Sequence, residues 1–503
     1  MVRLVEFDAV TEERVQFIED TPRDSIIEKT MDRLEQGEEP MALVTAAALA
    51  VSRSTELPAD HHGGPIHPVA GIHAVTGMLS RLPGGQALLP VLQCVALANK
   101  HIHLPSMGPA AMVQFQNLNH NADKHTVLQR LATAIEGREA RLSERWVTLA
   151  CEKASPGEIL NVLLDVAIRR NPLDDHYFLY TLYACRALDA IGWQFGSIVL
   201  RPVVRYLARH HSFEAYGEFS PGSIEDGIGF YRRFDELRAL LEKHNVNEQT
   251  VALRTDADES EAIEALADKI CAVDVISSLP ETIVAAMAGG LSLYGTLEGM
   301  SIGGARLFLR SHTNNPFDVH IHTGTAARRY LLGFDEVSFE HKLMSLIGWP
   351  WSYEIRYLDH TLTWDWQPDI EAPEKRSPDE LLEEMEQRIL NLEGYDVTNL
   401  PVVINYLVAP QENREIVKLA ERYVHAGYDV EALFTMTASL VCREDASEMH
   451  GYKLQQASLE EYRVCNPELR WVHAVAAVKQ AAVNAPTRPH RFYPQIAARV
   501  AAA

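Results

Sequence analysis

Histidines carry the chemistry that this sequence offers. His67, His176 and His320 each stand at or just inside the start of an apolar segment with helical periodicity: "HPVAGIHAVTGMLSRL" from 67, "DDHYFLYTLYACRALDAIG" from 174 and "DVHIHTGTAARRYLLG" from 318. Equivalent positions of repeated helices can converge on one cavity, and helical bundles assemble metal sites from separate helices in this way. A histidine at a helix start also serves as a cap or fills a polar crevice, so the metal reading rests on three in register rather than on any one. His73 follows His67 by six residues, about 120° around a regular helix. Pro68 suits the first helical position, which puts His67 at the cap and freer to turn towards His73. His67, His73, His176 and His320 are the candidate ligands, and His73 and Tyr177 are the candidates for a part in catalysis.

The string Asp318-Val-His320-Ile-His322 invites another reading. In a strand the two imidazoles would face the same way and share one ion; on a helix they lie about 200° apart. D-x-H-x-H opens the first barrel strand of many metal-dependent amidohydrolases, which keeps hydrolysis as an alternative. Residues 306–317, "RLFLRSHTNNPF", do not read as a buried strand, and the alternation of a barrel is missing. The repeat places His320 at a helix start, with Asp318 near the cap and His322 directed elsewhere.

Further candidates are His322, Trp193, and His450 with Lys453 one turn on in "SEMHGYKLQQ", as a cavity wall or a solvated face. Tyr177, Tyr180, Tyr183 and Trp193 would shape a pocket, or serve as ordinary core. His61 and His62 lie on a Gly-rich loop, and His101 and His103 follow a helix whose exposed carbonyls suit an imidazole. No Glu-x-x-His pair lies in the core helices, so a ferritin-like di-iron centre is not indicated. His-Glu-x-x-His, Gly-x-Ser-x-Gly and the Walker loop are absent. The glycines of "GLSLYGTLEG" and "GMSIGGARLF" follow no strand and read as helix–helix contacts.

The elements that must position these residues are helices, and the fold expected is all-α. "PMALVTAAALAVSRS" (40–54), "EILNVLLDVAIRR" (158–170) and "PETIVAAMAGGLSLYGTL" (280–297) open three related units, each followed by a histidine-headed helix and then a third helix. The expected architecture is a diverged array of helical hairpins, stacked to bury a common core. It divides into a helical segment at 1–39, a repeat core at 40–365 with a polar insertion at 212–262, and a helical region at 366–503. The last boundary is the charged, Pro-rich stretch before a helix capped at Ser377-Pro378.

The chain has 503 residues, 46 basic against 69 acidic, for a net charge of −23. Such a balance disfavours nucleic acid or an anionic membrane as partner. The first twenty residues carry acidic side chains where a signal peptide needs an apolar run, and no later stretch is apolar enough to span a bilayer, so a cytoplasmic location is expected. Six scattered cysteines suggest neither a zinc ribbon nor a disulfide framework.

At the three histidine-headed segments the sequence resembles a family of large, helical, uncharacterised bacterial proteins, some of which occur with a Rieske-type ferredoxin domain. The resemblance covers about residues 40–350 and falls on His67, His73, His176 with Ile191-Gly192-Trp193-Gln194, and His320; His322 has no counterpart. The chain lacks the C-x-H and C-x-x-H pairs of a Rieske cluster, so the resemblance implies a separate ferredoxin-type electron donor. It also leans the metal towards iron, where imidazoles alone suit iron, zinc, copper or nickel alike, and a haem is the further possibility. The function expected is a non-haem iron oxidoreductase or oxygenase acting on a small organic substrate. A non-catalytic helical scaffold is the rival.

Overall fold

A computed structural model of the chain describes residues 3–56, 66–171, 175–209, 234–273, 278–310, 320–348, 366, 368, 374–392, 410–443, 449–487 and 493–503. The fold is all-α. Extended pairing among the described residues is an isolated bridge between Leu4 and Val113, and no described helix is long and apolar enough to cross a membrane.

The chain forms two compact units: Met1–Tyr231 with Gly333–Lys342 and Ala498–Ala503, and Arg232–Leu332 with Leu343–Ala497. This differs from the expected division at 39 and 366. In the first unit α1 (Ala9–Asp20) and α2 (Ile26–Glu35) lie against α3 (Pro40–Ser54) and α5 (Leu89–Ile102), so the N-terminal segment is part of that core. Between α3 and α5 runs α4 (Ile66–Arg81); then follow α6 (Lys124–Glu136), α7 (Ala140–Lys153), α8 (Pro156–Arg169), α9 (His176–Ile191) and α10 (Gly196–Arg209). Pro40 opens α3, and Ser155 closes a reciprocal capping box with Glu158 before Pro156 of α8, so local chemistry sets these starts. Helices α4 and α9 lie against each other, each flanked by its sequence neighbours.

The second unit holds α11 (Phe234–Lys243), α12 (Ser260–Cys271), α13 (Leu279–Ala288), α14 (Leu293–Arg310) and α15 (His320–Leu332). After α16 (Phe339–Ile347), whose first residues belong to the first unit, come α17 (Pro378–Leu390), α18 (Pro410–His425), α19 (Val430–Cys442), α20 (His450–Val464), α21 (Trp471–Thr487) and α22 (Tyr493–Ala502), whose last residues belong to the first unit. The segment expected as one helix over 280–297 is two, α13 and α14. The chain turns at Gly289-Gly290, where Gly290 has φ 112°, a conformation that excludes a continuing helix. Of the polar insertion, residues 212–233 lie outside the described residues. Past the insertion, α12 buries Ile263, Leu266, Ala267 and Ile270 and lies along α14. Ser377 caps α17 through a second capping box, with Glu380, as Ser377-Pro378 predicts. Beyond it, α20 lies against α15 and α21 against α14, so residues 450–487 share the core of 293–332, while Ala498–Ala503 belong to the first unit.

Candidate metal centre

In the first unit, α4 and α9 bring two buried imidazoles together. His67 is 3 % exposed and His176 6 %; their ring centres lie 5.3 Å apart, edge to face, with a ring nitrogen of each within 4.8 Å of the other's. Two imidazoles sharing one ion at metal–nitrogen distances of about 2.0–2.1 Å place their ring centres roughly 5–6 Å apart, so the pair fits a common ion. The Tyr180 hydroxyl lies 2.9 Å from His67 Nε2 and 3.2 Å from Nδ1. A hydroxyl that accepts from Nε2–H would leave Nδ1 with its lone pair for a metal and would hold the ring in place. His176 stacks on the same tyrosine, ring centres 4.6 Å apart, because residues four apart share a helix face.

The second unit holds another pair of buried imidazoles. His320 opens α15 and His450 opens α20, they are 5 % and 3 % exposed, and their ring centres are 5.5 Å apart. The residues before His176 and His450 share a backbone feature: Asp175 has φ 59° and Met449 φ 54°, both left-handed. Such a conformation costs a non-glycine residue on the order of 1 kcal/mol and is held only where its surroundings fix it. At Asp175 one such contact is Asn171, whose Nδ2 donates to the carboxylate at 2.5 Å.

The other expected site residues are placed as follows. His67 is the second residue of α4 and not its cap, since the helix begins at Ile66. His73 therefore projects about 120° away, and its Nε2 receives the Arg186 guanidinium. Tyr177, one residue beyond His176, turns from it and meets Tyr206 edge to face at 5.0 Å; Tyr180 takes the place beside the histidines. The Arg186 guanidinium covers the Tyr183 ring at 5.5 Å. Trp193 follows the far end of α9, about 24 Å along the axis from His176, and donates to Asp189 at 2.8 Å. His450 and Lys453 are buried, not on a solvated face. His322 sits on the helix that starts at His320, so the two cannot point alike as they would from a strand; its ring faces Phe308 and His473. His103 Nδ1 donates to the Asn99 carbonyl at 2.9 Å, the C-terminal role its position suggests, and His101 meets the Met107 sulfur. Asp318, His61 and His62 lie outside the described residues.

Sequence reasoning gave His450 a lesser rank and missed its unit. The signal was present: the apolar run "VEALFTMTASLVC" before it and "WVHAVAAVKQAAV" after it follow the pattern seen around His176. Compared with known proteins, the chain matches no family model, no curated protein and no solved structure.

Proposed function

We propose that the chain is a metal-dependent enzyme, a non-haem iron oxidoreductase or oxygenase acting on a small organic substrate, with histidines at helix starts as the ligands. The observation that carries this reading is the recurrence, in each compact unit, of two adjoining helices whose first turns set buried imidazoles 5.3 and 5.5 Å apart. Two protein nitrogens leave most of an ion's coordination positions to water or substrate, the condition for a catalytic rather than a structural site. A bound iron would supply redox and oxygen-activating chemistry. The chain's own part is to hold His67 through the Tyr180 hydroxyl, to keep His176 stacked on that ring, and to exclude water by burial. Iron is favoured over zinc, copper or nickel by the family resemblance, which also suggests the separate ferredoxin-type donor.

The rival reading, a helical binding scaffold, draws support from the contacts of His73 with Arg186 and of His103 with its own helix. Metal analysis of full-length protein, expressed and purified anaerobically with iron, separates the two. The enzyme reading expects iron of up to about one equivalent per histidine pair, no Soret band, loss of the first unit's iron in His176→Ala, and loss of the second unit's iron in His450→Ala. Uptake of no more than a few tenths of an equivalent of any transition metal, or undiminished uptake in both variants, leaves the scaffold as the account. A Soret band replaces both with a haem protein.

A further inference from the structure

The interior of the second unit holds another constellation, separate from the histidine-headed helix starts and built from α14, α15, α20 and α21. Glu461 lies in the last turn of α20 and Cys465 caps that helix four residues on; on α21, His473 faces them. A Glu461 carboxylate oxygen, the Cys465 sulfur and one His473 ring nitrogen all lie within 4.8 Å of one another, and all three residues are buried. His322 of α15 is 2 % exposed, its ring centre 6.2 Å from that of His473.

Hydrogen bonding fixes the state of these groups. Ser301 of α14 donates its hydroxyl to Glu461 Oε2 at 2.8 Å. That hydroxyl has then spent its proton, so at 3.4 Å from His473 Nε2 it can only accept, and Nε2 carries the hydrogen. His473 Nδ1 is therefore the bare nitrogen, and it has no hydrogen-bond partner; neither nitrogen of His322 has one. Buried polar atoms are almost always bonded, and an orphan in a native interior needs a reason, of which an ion is one. Burial, with the neighbouring imidazole, pushes His322 down to about 3, and burial pushes His473 down to about 4. Both rings are neutral at pH 7 and able to donate lone pairs. A histidine whose other nitrogen donates to a fixed oxygen is how proteins hold a metal-ligating ring in place, and Ser301 supplies that oxygen.

We propose that Glu461, Cys465 and His473, with His322, form a buried binding site for a divalent transition metal of the zinc class. Carboxylate, thiolate and two imidazoles make up a tetrahedral donor set for that ion. Ligand separations in such a shell are roughly 3.5 Å, so the donors of Glu461, Cys465 and His473, each within 4.8 Å of the others, would close with side-chain shifts of at most about 1 Å, and His322 would turn in as the fourth ligand. Burial and the adjacent carboxylate raise the Cys465 thiol well above its ordinary range, so the free site keeps its proton; the metal would take the sulfur as thiolate and release that proton to solvent. Arg329 donates Nε to Glu461 Oε1 at 2.7 Å and a terminal nitrogen to Oε2 at 2.6 Å. Its hold on Oε1 would orient the carboxylate, and its charge would offset the thiolate. A site closed by this ion pair alone is the competing outcome.

Cobalt(II), added anaerobically to chelator-treated full-length protein, tests the proposal, because a thiolate ligand gives a near-ultraviolet charge-transfer band that histidine ligands do not. The expected band is stoichiometric in the wild type, absent in Cys465→Ser, at least 10-fold weaker in cobalt affinity in His473→Gln, and unchanged in His176→Ala and His450→Ala. No thiolate band in the wild type overturns the proposal, as does a band that survives Cys465→Ser. Should either variant fail to fold, zinc K-edge X-ray absorption of the zinc-loaded wild type decides: one sulfur scatterer at about 2.3 Å is expected, and a shell of nitrogen and oxygen alone overturns the site.

Discussion

At the scale of the residue, neighbours along the chain are not equivalent. His176, Tyr177 and Tyr180 lie within five positions, yet a helix sends Tyr177 to Tyr206 and keeps His176 and Tyr180 stacked on one face. The Tyr180 hydroxyl beside His67 is the polar group that would orient a ligating ring. Tyr180→Phe is therefore expected to weaken metal binding at this pair by about 10–100-fold, while Tyr177→Phe leaves it unchanged. Calorimetric titration of chelator-treated protein checks both, and equal effects of the two substitutions would remove the hydroxyl from the account. The choice between these tyrosines was legible in the spacing, since i and i+4 share a face and i and i+1 do not. The placing of His73 was not: six residues from His67 on a helix leave its direction to the partner, and that partner, Arg186, is 113 residues away.

At the scale of the element, helix starts were easier to read than helix packing. Pro40 and Ser377-Pro378 mark observed first turns because capping is local chemistry. Gly289-Gly290 was passed over as a break because two glycines inside an apolar run also suit a close contact, and only the positive φ of Gly290 separates the two. The glycines of α14 are such contacts. Gly295, Gly299 and Gly303 recur every four residues, and a Cβ on them would meet Glu259, Leu266 and Ile270 respectively. At Gly303 the added carbon would stand 2.7 Å from the Ile270 Cβ and 2.9 Å from the Ala267 carbonyl oxygen. Backbone leaves little room to yield, so Gly303→Ala should destabilise by about 1–3 kcal/mol. Urea midpoints of the full chain measure it; an unchanged midpoint would mean that α12 and α14 are not held at this distance.

At the scale of the whole molecule, the two compact units explain why an architecture read along the sequence drew its borders in the wrong places. Charged, Pro-rich residues before 378 look like a linker, and composition alone gives no hint that α20 and α21 return to α15 and α14 across more than a hundred residues. Pairing of that range depends on which apolar faces fit, and any amphipathic helix would satisfy the pattern. The return has a consequence for dissection. Leu454, Leu459, Val475 and Val478 are at most 2 % exposed in the folded chain, and a fragment of residues 366–503 would strip α20 and α21 of α15 and α14. It would also leave Glu461 without Arg329 and Ser301. Expressed alone, 366–503 should therefore lack a cooperative thermal transition by far-ultraviolet circular dichroism, while the full chain shows one. A sharp, reversible transition in the fragment would restore the border at 366 and require that α17 to α22 form a sufficient core by themselves.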